Sequence, residues 1–174
     1  DRIITKPDTI LFSPINRFDI LPKDNKFAIA RIDGQDIVKL ETIASQLLVY
    51  KTTDLFVLDV SAPHNPRLIQ TLYGKGVSDH NHIAKSDNYM FSMNKSGVFA
   101  YDGEGVQNLL KDKLDSEFFI KNIYKADSRL LYEPKENMLF IINNYDTAPG
   151  TDIIPNAEGI ANKALIINLT TGGL

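Results

Sequence analysis

Apolar and polar residues alternate at period two over most of the chain, and short polar groups interrupt the alternation repeatedly. Alternation puts every second side chain on one face of a half-buried strand, whereas a helix repeats its apolar positions about every three to four residues. The pattern predicts strands over Lys26–Ile32, Ile37–Thr42, Gln46–Tyr50, Leu55–Val60, Arg67–Leu72, Tyr89–Met93, Gly97–Tyr101, Glu117–Ile120, Met138–Ile142 and Ala164–Leu169. The groups between them, such as Lys-Asp-Asn, Asp-Gly, Lys-Thr-Thr and Asn-Lys-Ser-Gly, are residues that close hairpins. Glu104–Asp115 departs from the pattern. Its Val106, Leu109, Leu110 and Leu114 fall at helical spacing, with Lys111 and Lys113 toward the end where cations favour the helix dipole. One short surface helix inserted between strands is expected there, and a long connection with an apolar anchor fits the same residues equally well.

The strands recur in groups. PKDNKFAIA from Pro22, KSDNYMFSM from Lys85 and PKENMLFII from Pro134 each join a polar turn to an apolar strand. LLVYKTTDLFVLD and YMFSMNKSGVFAYD each join an apolar strand, a tight turn and a second strand ending at Asp. Tyr89 lies 42 residues after Leu47, and Met138 lies 49 after Tyr89, spacings that match one four-stranded blade apiece. The expected fold is all-β, with three to four β-propeller-like blades and one short inserted helix, in a single domain spanning residues 1–174.

The stretch SQLLVYKTTDLFVLDVSAPHNPRLIQTL resembles the LVIVD repeat of bacterial and archaeal surface β-propellers, in which an apolar run closes on Asp-Val-Ser, then x-Pro-x-x-Pro, then an outer strand. The matching positions are Leu55 to Ser61, Pro63, Pro66 and Leu68-Ile69, and the resemblance extends over about residues 45–102. Asp59 and Ser61 suit a rigid turn in which side-chain oxygens accept local backbone N–H groups, and Pro66 suits the start of an edge strand because it lacks a donor. The resemblance implies a protein that is secreted, periplasmic or on the cell surface. It also implies that a His-Asn pair opens an innermost strand beside a central channel. Blades of about 42 residues allow roughly four in this length, the low end for a closed ring, so part of a larger propeller is the expectation.

Composition narrows the chemistry. The 19 basic residues are scattered and the net charge is −3, which argues against a nucleic-acid groove or an anionic membrane surface. No apolar run approaches the roughly 18–20 residues that cross a bilayer as a helix. Without cysteine, thiolate metal sites, disulfides and thiol nucleophiles are excluded. No nucleophile elbow, phosphate-binding loop, dinucleotide fingerprint or H-E-x-x-H motif occurs.

Two polar groups remain. Asp79-His80-Asn81-His82 holds two of the three histidines. On an extended strand His80 and His82 share a face, where they and Asp79 suit a divalent metal, or hydrogen bonds along a channel. The segment 143–158 carries Tyr145, and its Asp146, Asp152, Asn156 and Glu158 supply oxygen ligands suited to calcium but without the D-x-D-x-D-G order, so an ordinary connecting insertion or a surface loop that touches a partner fits it better. Tyr73, Tyr124 and Tyr145 sit near predicted loops, where an aromatic side chain suits a ligand, while Phe27, Tyr50, Phe56, Tyr89, Phe91, Phe99, Tyr101, Phe118, Phe119, Tyr132 and Phe140 lie mostly within strands and suit the core. The expected function is a non-catalytic binding or scaffold module, with no bound cofactor, that offers loops to a protein or glycan. A metal-dependent propeller enzyme using Asp79, His80 and His82, and a structural subunit of a larger assembly, are the alternatives.

Overall fold

A computed structural model describes residues 8–29, 33–62, 65–143 and 164–173. Among these residues the chain is mostly β, with four antiparallel sheets and one α-helix, and it divides into two compact units, Asp1–His80 and Asn81–Leu174.

In the first unit β1 (Thr9–Leu11) pairs with β2 (Lys26–Ala28). Then β3 (Ile37–Ile43), β4 (Gln46–Lys51), β5 (Leu55–Asp59) and β6 (Arg67–Leu72) form a four-stranded sheet in chain order. Val49, Phe56 and Leu58 on one face of this sheet pack with Ile29, Ile10 and Phe27. Leu48, Tyr50, Leu55 and Val57 on its other face are buried as well. That is why LLVY and LFVL read as unbroken apolar runs: a strand covered on both faces has no solvent side to mark with polar residues. Each such side chain contributes roughly 1.5–3 kcal/mol by leaving water.

The edge strand β6 follows Pro66 and carries a bulge, since Leu58 faces Leu68 while Val57 faces Gln70. A leading proline and a bulge both blunt an edge against pairing with another chain. The Asp59 carboxylate accepts the Ser61 N–H at 2.8 Å, the turn expected from Asp-Val-Ser. Pro63 lies outside the described residues.

In the second unit β7 (Ile83–Lys85), β8 (Met90–Asn94), β9 (Gly97–Tyr101) and β10 (Val106–Asn108) form another four-stranded sheet in chain order. A three-stranded sheet follows, of β11 (Arg129–Glu133), β12 (Met138–Ile142) and β13 (Ala164–Asn168). Phe91, Met93 and Val98 of the first sheet share a core with Leu130, Leu139, Ile141 and Ile167 of the second. The helix α1 (Ser116–Asn122) adds Phe119, and Ile123 and Tyr124 follow from its C-terminal end.

The helix is not where helical spacing placed it. Within Glu104–Asp115, Val106–Asn108 is strand β10, paired to Phe99–Tyr101, and the residues after it are turns. The reason is local. The Asp102 carboxylate accepts the Glu104 and Gly105 N–H groups at 2.9 and 2.8 Å, which folds the chain back onto β9 before a helix can start. The helix covers Glu117–Ile120 instead, where alternation predicts a strand. Asp115 caps it by accepting the Phe118 N–H at 2.9 Å, Glu117 lies in its first turn and Lys121 in its last. Phe119 and Ile123, four apart, turn inward and bury. Among the aromatics assigned to the core, Tyr89 and Phe118 are exposed. No helix among the described residues is long and apolar enough to cross a membrane.

Candidate functional site

The residues Asp79, His80 and His82 are not on an extended strand. His80–His82 is a single turn of 3-10 helix, and at about three residues per turn positions two apart no longer share a face. The consequence shows in burial. His80 is 69% exposed, with its Nδ1 3.4 Å from the Asp79 carboxylate. His82 is fully buried, its ring 5.3 Å from that of Tyr124, which in turn packs on Phe119. Tyr124, expected near a loop, is therefore a core residue. No group of three His, Asp or Glu side chains suited to a metal ion occurs among the described residues. Tyr145, Asp146, Asp152, Asn156 and Glu158 lie outside the described residues.

Tyr73 stands out on geometry. It is 79% exposed and follows directly on β6, in a segment that three backbone N–H groups clamp to the β4–β5 hairpin. The Gly74 N–H donates to the Asp54 carboxylate at 2.9 Å, the Gly76 N–H to the Thr53 carbonyl at 2.7 Å, and the Val77 N–H to the Lys51 carbonyl at 2.9 Å. Gly76 lies so close to the hairpin that a Cβ on it would stand 2.3 Å from the Lys51 carbonyl oxygen. Gly74 has a φ of +67°, a left-handed conformation that glycine adopts without cost. Beside the exposed tyrosine, burial lowers the pKa of Lys75 from its usual value.

The same hairpin is held from its other side by a polar network that alternation alone does not reveal. Lys51, fully buried, donates from Nζ to both Asp33 carboxylate oxygens at 2.8 Å and to the Ile29 carbonyl at 3.2 Å, and lies 5.7 Å from the centre of the Phe56 ring. The Gln35 side chain donates to Asp54 at 3.1 Å and accepts the Thr53 N–H at 3.0 Å. A signal for this was present. Lys51 continues the period-two register of Leu47 and Val49, so it belongs to their inward face and not to a Lys-Thr-Thr turn.

Three carboxylates, each in its own local setting, are held below the usual aspartate range. Burial raises the Asp33 carboxyl, but the hydrogen bond and charge of Lys51 and the Gln35 N–H outweigh it. The Ser61 side chain and N–H lower Asp59, and the Gly105 and Glu104 N–H groups lower Asp102. A carboxyl whose folded pKa lies below its unfolded value of 3.8 stabilises the fold above that pH. The contribution is lost as pH falls through the lower folded value. The melting temperatures of the chain and of its Asp33→Asn variant are therefore expected to differ most near neutral pH and to converge as pH falls through the lowered folded pKa of Asp33. A gap that stays constant across thermal melts at several pH values would show that ionisation of Asp33 carries no stability.

Comparison with protein-family models and with curated proteins finds no match to this chain.

Proposed function

We propose that the chain is a non-catalytic binding module of the β-propeller kind, working outside the cytoplasm or at a bacterial surface, whose loops engage a protein or glycan. The observation that carries this reading is Tyr73. A large amphipathic ring, 79% exposed, stands on a segment whose backbone is already fixed by the β4–β5 hairpin. An aromatic presented this way costs little further ordering when a partner covers it, and tyrosine is among the residues that dominate binding energies. Support for the architecture comes from the two four-stranded meanders, β3 to β6 and β7 to β10, each running in chain order across its sheet. In both, the middle strands are buried on both faces, as stacked blades require. The LVIVD resemblance over residues 45–102 points the same way and supplies the location.

The test is selection of a displayed peptide library and a glycan array against the immobilised full chain, with Tyr73→Ala alongside. Ligands whose affinity falls by about thirtyfold or more in the variant are expected. Ligands that bind both proteins equally, or none at all, would remove Tyr73 as the contact and with it the basis of the reading.

A further inference from the structure

We propose that a concavity of about 240 Å³ in the second unit is a subsite for the neutral ring of one sugar residue. The proposal deepens the reading of the chain as a binding module, but it uses other residues than Tyr73. The concavity lies between the β8–β9 turn with the adjoining end of β10 and the turn that leads into α1, over the buried side chains of Leu110 and Phe119. It is smaller than the roughly 300 Å³ at which drug-sized pockets begin, which limits the occupant to about one ring.

The polar rim consists of Ser96, Asn108, Lys111, Asp112 and Ser116. Lys111, Asp112 and Ser116 make no side-chain hydrogen bond or ion pair with any described residue. The adjacent ammonium and carboxylate are thus uncommitted, even to each other. An ammonium only donates, a carboxylate only accepts, and hydroxyl and amide groups do both. Together they complement neighbouring hydroxyls, each of which donates one hydrogen bond and accepts others. The charges of Lys111 and Asp112 cancel, so the rim selects no net charge. A zwitterion such as a free amino acid would engage those two charges and leave the rest of the rim unused, whereas the several hydroxyls of a pyranose reach all of it.

The frame is fixed before any ligand arrives. The Asn108 side chain accepts the Leu110 N–H at 3.0 Å and donates to the Ser96 carbonyl at 3.4 Å. It rests against bare Gly97, where a Cβ would come within 2.9 Å of its amide oxygen. The Lys113 and Leu114 N–H groups close onto the Leu110 carbonyl at 3.1 and 3.2 Å, and Lys113 Nζ ties the turn to the Gly172 carbonyl. Asp112 itself has a φ of +62°, a left-handed conformation that asparagine accepts as readily as aspartate. Asp112→Asn therefore removes the carboxylate charge and leaves the backbone undisturbed.

The experiment is a titration of the isotopically labelled full chain with the methyl glycosides of glucose, galactose, mannose and N-acetylglucosamine. Amide shifts are read at Gly97, Asn108 and Asp112, with glycine and lysine as amino-acid controls. At least one glycoside is expected to shift these amides with a dissociation constant of about 1–10 mM, as suits a small open site. Affinity is expected to weaken at least about tenfold in Asp112→Asn, with no change in melting temperature, and to be unaffected in Tyr73→Ala. The proposal is overturned if no glycoside shifts these amides, if Asp112→Asn binds as well as the parent chain, or if only the amino acids bind. Each of those results leaves the Tyr73-dependent ligands of the preceding section untouched, so the subsite and the broader reading fail separately.

Discussion

Replacing Gly76 with alanine is expected to destabilise the first unit by about 3–5 kcal/mol, the range of the most damaging single substitutions. The new Cβ would stand 2.3 Å from the Lys51 carbonyl oxygen, 2.3 Å from the Thr53 carbonyl carbon and 2.4 Å from the Asp54 nitrogen. All three are backbone atoms of a paired hairpin, so no side chain can swing aside to relieve the contact. The segment would have to lift off. That breaks the Gly76 and Val77 hydrogen bonds to Thr53 and Lys51 and exposes Val77, which is fully buried. Gly74→Ala provides the contrast. Nothing lies within 4 Å of a Cβ there, and the positive φ is the whole difficulty, so a cost of about 1 kcal/mol is expected. Calorimetry should therefore show a melting temperature lowered by about 10 °C or more for Gly76→Ala and by only a few degrees for Gly74→Ala. The reverse order would mean that backbone conformation, and not the close approach, governs this segment. Because the clamped segment presents Tyr73, Gly76→Ala should also weaken any Tyr73-dependent ligand.

Lys51→Ala is expected to cost about 3 kcal/mol, the low end for breaking a buried ion pair. The low end applies because Asp33 keeps 22% of its side-chain surface in water and can recover some hydration. Part of the loss is packing, since the stem of Lys51 lies among buried residues and beside Phe56. Lys51→Met retains that stem and isolates the electrostatic part. Combined with Asp33→Asn it removes both charges together, and the double variant should be less destabilised than the sum of the two single ones. Urea unfolding of the four proteins measures the difference. Strict additivity would show that Lys51 and Asp33 are neighbours without being coupled.

The strands β6, β9 and β12 match the predicted segments residue for residue, and β3, β4 and β5 to within one residue at an end. In each case the apolar residues and the flanking turn formers agree. Of the strands of three residues, β1, β7 and β10 escape such a reading because they are too short to display a period, whereas β2 lies within the predicted Lys26–Ile32. β11 escapes it because Leu130 and Leu131 are adjacent apolar residues, one buried and one exposed. The displaced helix has a similar origin. Four apolar residues at helical spacing after Gly105 carried less weight than the Asp102 turn before them and the free β9 edge beside them. Meanwhile Asp115, with Phe119 and Ile123 beyond it, held a cap and an inward stripe that were readable but outweighed by the expectation of a strand.

Candidate chemistry was less legible than fold. His80 and His82 read as a pair, but whether residues two apart share a face depends on the backbone between them, and a 3-10 turn separates one into solvent and the other into the core. Lys51 and Asp33 lie 18 residues apart and Lys111 and Asp112 are neighbours, yet among the described residues only the first two are paired.

What the residues by themselves determine here is what short-range physics controls. They determine the strand period, the turns at Asp59 and Asp102 where a side chain replaces a backbone acceptor, and the exclusion of thiol chemistry. Tertiary structure alone decides which charges are buried together, which glycine must stay bare because a hairpin lies against it, and which polar residues are left around a concavity with nothing to bind. Those outcomes depend on distances between segments remote in sequence, and the energies that set them arise only when the strands have paired and water has been removed.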